Sequence, residues 1–331
     1  MFRGFIYMEA KYYERLNDNK ARCNLCPHGC TIGDGEVGVC KVRKNSKGTL
    51  ISLNYGKITS YAYDPIEKKP LFHFYPGSRI FSIGSFGCNF KCDFCQNWEI
   101  AQRRSWTTDL EDEDIILLGK SLGSIGIAYT YNEPVISYEH VYHVCKMARD
   151  NGLKNVLVTN GYINPEPLME LLPYIDAMNI DLKSFNDDFY KKICKGRLEP
   201  VKRTIEIAAK HTHVEITNLI IEGLNSSEEE IEELALWVSS VDKSIPLHFT
   251  KYFPSYKMDL PETSYDVLLR AKNIAKKYLY YVYIGNVMGI DNNTYCPKCS
   301  NELVNRDIKG KVIGIKDNRC INCGTEIEII Y

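Results

Sequence analysis

Seven short apolar runs recur through the middle of the chain, each followed by a longer stretch in which apolar and polar positions mix at helical spacing. The runs are IFSIGS (80–85), IGIAYT (125–130), KNVLVT (154–159), DAMNID (176–181), VEITNLII (214–221), PLHFTKY (246–252) and YVYIG (281–285). Runs so short and so continuously apolar suit strands buried on both faces of a parallel sheet. The stretches between them predict helices near 110–122, 138–150, 165–173, 187–210, 227–240 and 263–278. Strand starts fall about 20–45 residues apart, the spacing of repeated βα units. The pattern is α/β, compatible with a closed barrel, an open partial barrel or a doubly wound sheet. In each of these, ligands sit at the carboxyl ends of the strands.

Local chemistry marks several boundaries. NSSEEEIEELALWV (225–238) offers Ser226 as a helix N-cap with Glu229 three residues on, and acidic residues suit the positive end of a helix dipole. EDED at 111–114 reads the same way, as a solvated helix start and not a metal site. Texture divides the chain into a Cys- and Gly-rich segment (1–50), the strand–helix core (51–290) and a short Cys-bearing tail (291–331).

Composition narrows the classes. A chain of 331 residues, 44% hydrophobic, can bury a sizeable core. Lys+Arg 41 against Asp+Glu 42 leaves a net charge of -1, so neither nucleic acid nor an anionic membrane is an expected partner. No window holds the roughly 18 uninterrupted apolar residues of a spanning helix. The first twenty residues mix charged with apolar side chains and lack a signal peptide's apolar segment, so a cytoplasmic location is expected. Thirteen cysteines in a reducing compartment point to metal, and eleven of them fall in three clusters. Cys145 and Cys194 stand alone, and a lone cysteine is most often a small buried hydrophobe.

The clusters differ in spacing. In the tail, Cys296-x2-Cys299 and Cys320-x2-Cys323 can close a tetrahedron of thiolates, the pattern of a structural zinc ribbon. The segment between them has too few apolar residues for a core, so metal would supply the folding energy. Near the N-terminus, Cys23, Cys26, Cys30 and Cys40 again make four, with zinc and a second iron–sulfur cluster both open, and His28 a loop residue. The third cluster has only Cys88, Cys92 and Cys95. Three thiolates on a cubane leave one iron free for an external ligand, and an open position marks a catalytic metal site.

CNFKCDFC (88–95) resembles the CxxxCxxC motif of radical S-adenosylmethionine enzymes, with Phe94 in the aromatic slot before the third cysteine. TYNEP (130–134) is similar to that family's Gly-Gly-Glu-type segment, with Tyr131 and Asn132 where the glycines stand. VTNGYI (158–163) and NIDLKSF (179–185) look like third- and fourth-strand segments of the glycyl-radical-activase branch. CNLCPHGC (23–30), DPIEKKPLFHFYPG (64–77), VEITNLIIEGLN (214–225), YIGNV (283–287) and NTYCPKC (293–299) extend the likeness over nearly the whole chain, to the radical enzyme of the AmmeMemoRadiSam system.

The resemblance implies a partial (β/α)6-type barrel flanked by the Cys-rich segment and a zinc-ribbon-like tail. It implies a [4Fe–4S] cluster on Cys88, Cys92 and Cys95, and S-adenosylmethionine cleaved there to a 5′-deoxyadenosyl radical that takes hydrogen from a substrate. Phe94, Glu133, Asn160, Asp181, Lys183 and His248 are the implied cofactor contacts, Glu133 through the amino group. A ferredoxin- or flavodoxin-like electron donor and the other AmmeMemoRadiSam proteins are the implied partners. Two features depart from activases: Val158 replaces an acid that helps hold a monovalent cation, and no cysteine-rich insertion follows Cys95. Activation of a glycyl-radical partner is the alternative enzyme reading. A metal-clipped module binding RNA or protein is the non-enzymatic one, and near-zero net charge gives RNA methyl transfer no support.

Overall fold

A computed structural model describes residues 8–103, 105–307 and 310–331; the first seven residues of the charged N-terminal stretch lie outside the described residues. Eight strands form one sheet: β1 (Ser60–Pro65), β2 (Arg79–Gly84), β3 (Gly126–Tyr129), β4 (Lys154–Thr159), β5 (Ala177–Asp181), β6 (His213–Ile220), β7 (Leu247–Lys251) and β8 (Val282–Gly285). Strands β2 to β8 are the seven predicted from apolar runs. They lie side by side in chain order and pair in parallel throughout. That order lacks the reversal of a doubly wound sheet, and β1 and β8 are not paired with each other, so the sheet is open.

Strand β1 was not predicted. It pairs antiparallel with β2, from Ser60 opposite Gly84 to Pro65 opposite Arg79. SYAYDP is half-exposed and ends in proline, so it carries no apolar run, and proline is tolerated there because the strand is an edge.

Period-two alternation sorts the sheet's two faces. Ile127, Tyr129, Leu157, Met178, Ile180, Ile216 and Phe249 enter the main core with the buried sides of the helices. The helices are α1 (Asp112–Ser121), α2 (Tyr138–Asp150), α3 (Pro165–Leu171), α4 (Leu198–Ala208), α5 (Glu228–Val241) and α6 (Tyr265–Ala275). Ile80, Ala128, Val156 and Ala177 take the other face, where Ile66, Leu71 and Phe74 from the segment before β2 pack on them. This plug fills the inner face toward the strands' amino ends and leaves chemistry to the carboxyl ends.

Two local expectations are corrected. The stretch 187–210 is not one helix: a short turn at Asp187–Phe189 runs into a π-type turn, Tyr190–Cys194, and Lys195 then adopts φ 60° before α4 begins. The cap of α5 is Ser227, whose side chain accepts from the Glu230 amide, one residue beyond the Ser226–Glu229 pair. Two adjacent serines offered two registers, and tertiary contact chose: Glu230 accepts from Ser184 Oγ and from the Phe185 amide at 2.8 Å.

The N-terminal segment shares the main core through Ala21, Leu25, Ile32, Val42 and Leu50. The tail has a small core of its own, Leu303, Val304, Ile327 and Ile329 beside Cys296 and Cys320. It docks on the plug, where Tyr75 N donates to Ile330 O (2.6 Å) and Ile330 N to His73 O (2.9 Å). No helix among the described residues is long and apolar enough to cross a membrane.

Candidate active site

The chain leaves β2 at Gly84 and enters the triple-cysteine loop, which is tied down on every side. Asn132, just after β3, accepts from the Ser85 amide (2.9 Å) and donates to Gly87 O (3.1 Å). Lys91 N donates to Cys194 O (2.8 Å) and Asp93 N to Ile193 O (3.2 Å), zipping the loop to the π-type turn. Gln102 donates to Phe90 O (3.0 Å). From the segment after β7, Ser255 Oγ donates to Cys95 O (3.2 Å) and Lys257 N to Asp93 O (3.0 Å). A Cβ on Gly196 would lie 2.3 Å from Phe90 Cε1, so only glycine lets that ring fill the space beneath the loop.

Cys92 is buried, while Cys88 and Cys95 are half-buried. Burial pushes the Cys88 thiol well above its ordinary value, with the nearby Glu133 charge adding to it. A hydrogen bond with Cys194, then burial, does the same to Cys92. Such thiols ionise when a metal supplies compensating charge. Among the described residues, the tail cysteines alone gather three or more ligand atoms all within 4.8 Å of one another. Cys88, Cys92 and Cys95 are therefore spread too widely for one ion, which fits a multinuclear cluster.

Glu133 closes the far side. It is 2% exposed, and its Oε1 accepts from Thr159 Oγ1 (2.6 Å) and Val135 N (3.1 Å), its Oε2 from Asn160 N (2.7 Å). Burial raises its pKa to about 7 against the pull of those three donors. Tyr131, two residues earlier, holds φ 69°, a left-handed conformation natural to glycine. Its ring is fixed by Lys69, 4.8 Å from the centroid, and its hydroxyl by Asp64 (3.1 Å).

Asn160 donates to Asn89 Oδ1 (2.9 Å) and lies 3.8 Å from Cys88 Sγ. Asp181, at the end of β5, pairs with Lys183 at 3.1 Å, and the ammonium stands 5.7 Å from the Phe94 ring centroid. Phe94 is buried beside Phe189. These five residues and the three cysteines thus surround one rim. His248 shares a cross-sheet row with Asp181 through Thr217. Its Nε2 is engaged by Glu215 Oε2 (2.6 Å), and its ring packs on Phe72 and Tyr283.

Sequence reasoning left Asn89, Gln102, Ser255 and Thr159 unmarked, because each acts through a fold-dependent contact, even though Asn89 and Thr159 lie inside quoted motifs. Cys194 is fully buried against Cys92, and Cys145 is buried in α2, its carbonyl accepting from Asn155. The buried pair Arg43–Glu139 (2.7 Å) also escaped notice.

An open parallel sheet in chain order, with three cysteines on its first parallel loop, matches the family model of the Radical SAM superfamily over residues 82–238. Residues 82–238 thus make up a Radical SAM superfamily domain, and the chain is an enzyme. An uncharacterized protein of Methanocaldococcus jannaschii is 45% identical, over 97% of this chain and 99% of its own length. Pyruvate formate-lyase-activating enzyme of Clostridium pasteurianum is 24% identical, over 59% of this chain and 87% of its own. A solved radical SAM methyltransferase from Sphaerobacter thermophilus shares the fold, with a TM-score of 0.51 at 16% identity over 68% of this chain and 71% of that one. The family implies a [4Fe–4S] cluster and S-adenosylmethionine.

Proposed function

We propose that the chain is a radical S-adenosylmethionine enzyme that abstracts hydrogen from an organic substrate, working as the radical component of the AmmeMemoRadiSam set. The observation that carries this is the convergence of Cys88, Cys92 and Cys95 with Glu133, Asn160, Asp181, Lys183 and Phe94 on the carboxyl rim of the open parallel sheet, which we read as a partial (β/α)6-type barrel. The cluster and S-adenosylmethionine, when bound, supply a carbon-centred hydrogen abstractor. Cys88, Cys92 and Cys95 would hold the cluster, with one iron left open for S-adenosylmethionine.

The chain's own residues bind and orient. Glu133 in its ionised form takes the ammonium, a charge-assisted contact. Phe94 packs on the adenine, and Asn160, Asp181 and Lys183 meet the ribose and carboxylate. His248, tied to Glu215, lines the inner face at the level of Asp181. Residues 253–258 and the π-type turn brace the loop, through Ser255 and Lys257 on one side and the Ile193 and Cys194 carbonyls on the other.

Around this core (51–290), the segment 1–50 and the tail 291–331 are metal-bearing appendages, the tail a structural zinc ribbon. A low-potential ferredoxin- or flavodoxin-like protein donates electrons, and the thiol-rich chain suits a reducing cytoplasm. Similarity to an activating enzyme favours a second reading, installation of a glycyl radical on a partner. Val158, where activases carry an acid, weighs against it.

Anaerobic reconstitution, reduction and measurement of 5′-deoxyadenosine test the reading. Formation by the wild type and its loss in Cys88→Ala support it; a reconstituted, reduced cluster that makes none overturns it. Cys194→Ala should keep both cluster and product, since loss of the cluster would make Cys194 a fourth ligand of a closed site.

A further inference from the structure

The chain holds two sets of four cysteines outside the active site, and their sulfurs are arranged differently. A tetrahedral zinc ion with bonds of about 2.3 Å needs sulfurs about 3.8 Å apart. The tail meets this: Cys296 to Cys323 and Cys299 to Cys320 are each 3.6 Å, and all four sulfurs lie within 4.8 Å. Cys23, Cys26, Cys30 and Cys40 wall one cavity together with His28, Ile32, Arg43 and Ile136. Yet among the described residues no three of these potential ligands all lie within 4.8 Å of one another, and neither do Cys88, Cys92 and Cys95. In a cubane each thiolate binds a different iron, which sets the sulfurs further apart than one ion can reach.

A second feature points into the same cavity. Arg43 is 1% exposed and spends one nitrogen on Glu139, while its Nε and Nη2 have no partner among the described residues. Buried guanidinium N–H groups without acceptors are costly, and the sulfurs of an anionic cluster are acceptors. We propose that Cys23, Cys26, Cys30 and Cys40 bind a second [4Fe–4S] cluster, with Arg43 donating to its sulfurs.

The placement gives this cluster a use, which rests on the Cys88 loop being the radical site. A Cβ on Gly87 would lie 2.6 Å from Cys40 O, and His28 Nε2 is 2.8 Å from Asn89 O, so the two cysteine-bearing loops touch on both sides of Cys88. Val37 and Val39, beside Cys40, are 48% and 40% exposed. One electron from a low-potential flavodoxin- or ferredoxin-class donor reduces the second cluster there. The same electron passes to the Cys88 loop, and the second cluster returns to its oxidised state.

The test uses the full-length triple variant Cys88→Ala/Cys92→Ala/Cys95→Ala, reconstituted without oxygen. It should retain about four irons and four sulfides per chain. Reduction with dithionite should give a spin-half paramagnetic signal that S-adenosylmethionine leaves unchanged. Adding Cys23→Ala and Cys26→Ala should remove the iron and spare the tail's metal. Wild-type protein, with no folding risk from substitution, should hold about eight irons. A triple variant without iron, from a wild type holding about four, overturns the proposal, with zinc or no metal at the N-terminal set. That result leaves the radical reading standing. Iron retained by the triple variant, with no 5′-deoxyadenosine from the wild type, fails the radical reading alone.

Discussion

The two four-cysteine regions sit at opposite ends of the sheet's strands. The tail docks at the amino ends, where Ile330 pairs beside Phe74 and Arg306 donates to Phe72 O (2.5 Å) while lying 4.4 Å from that ring. The N-terminal set packs at the carboxyl ends against Gly87 and Asn89. One set is pinched to single-ion spacing around a small core of its own, while the other is spread and fused into the main core. Equal ligand counts therefore sit in different settings: one set closes a small core docked beside Phe72 and Phe74, and the other touches the loop of Cys88, Cys92 and Cys95.

Removing a tail ligand is the hardest test of that division. Cys299→Ala should unfold residues 294–331 if the tail holds the proposed zinc, since a structural zinc contributes on the order of 10 kcal/mol to such small folds. Limited proteolysis should release the tail, while 5′-deoxyadenosine formation falls by much less than in Cys88→Ala, because the tail reaches His248 through Phe72 and Tyr283 and not directly. A parallel collapse of activity would erase the contrast.

Next in size is Arg43→Met. Breaking a buried ion pair strands Glu139 and costs about 3–5 kcal/mol, read as a lower urea midpoint. Glu139→Gln should cost less, because the amide can still accept from the guanidinium.

Gly87→Ala addresses the contact between the N-terminal set and the radical loop. The new methyl meets Cys40 O, and φ 87° already disfavours a side chain. A destabilisation of about 2–3 kcal/mol is expected from overpacking and backbone strain. The signature of the proposed second cluster should shift, with the tail's metal unchanged.

The smallest effect is a pH dependence. Glu133 is neutral below its folded pKa of about 7 and must lose a proton to hold an ammonium group. The dissociation constant for S-adenosylmethionine should therefore rise as pH falls below 7, by up to about tenfold per unit. The raised value also means that the neutral form favours folding: this contribution is intact below pH 4.5 and is lost as pH rises through about 7. In Glu133→Gln both dependences should vanish, and binding should weaken by about 1.5–3 kcal/mol.

Much of this was legible in the chain. Buried parallel strands write themselves as apolar runs because both faces are covered, and all seven such runs became strands. The edge strand Ser60–Pro65 stayed hidden because a half-solvated edge has no such pattern. The break at Lys195–Gly196 was invisible because it answers to Phe90, which is about a hundred residues away in the chain and touches Gly196 only after folding.

The residues of the candidate site divide along the same line. Cys88, Cys92 and Cys95 were readable, since metal ligation demands particular residue types at close spacing on one loop. So were the cysteine counts of the flanking sets, and the acid in TYNEP. Only the tertiary structure set Cys194 against Cys92, tied His248 to Glu215, aimed an underused Arg43 into the N-terminal cavity and spread that set's sulfurs apart. Local spacing fixes which ligands are at hand; how far apart they stand, and what lies beside them, depends on packing between segments distant in the chain.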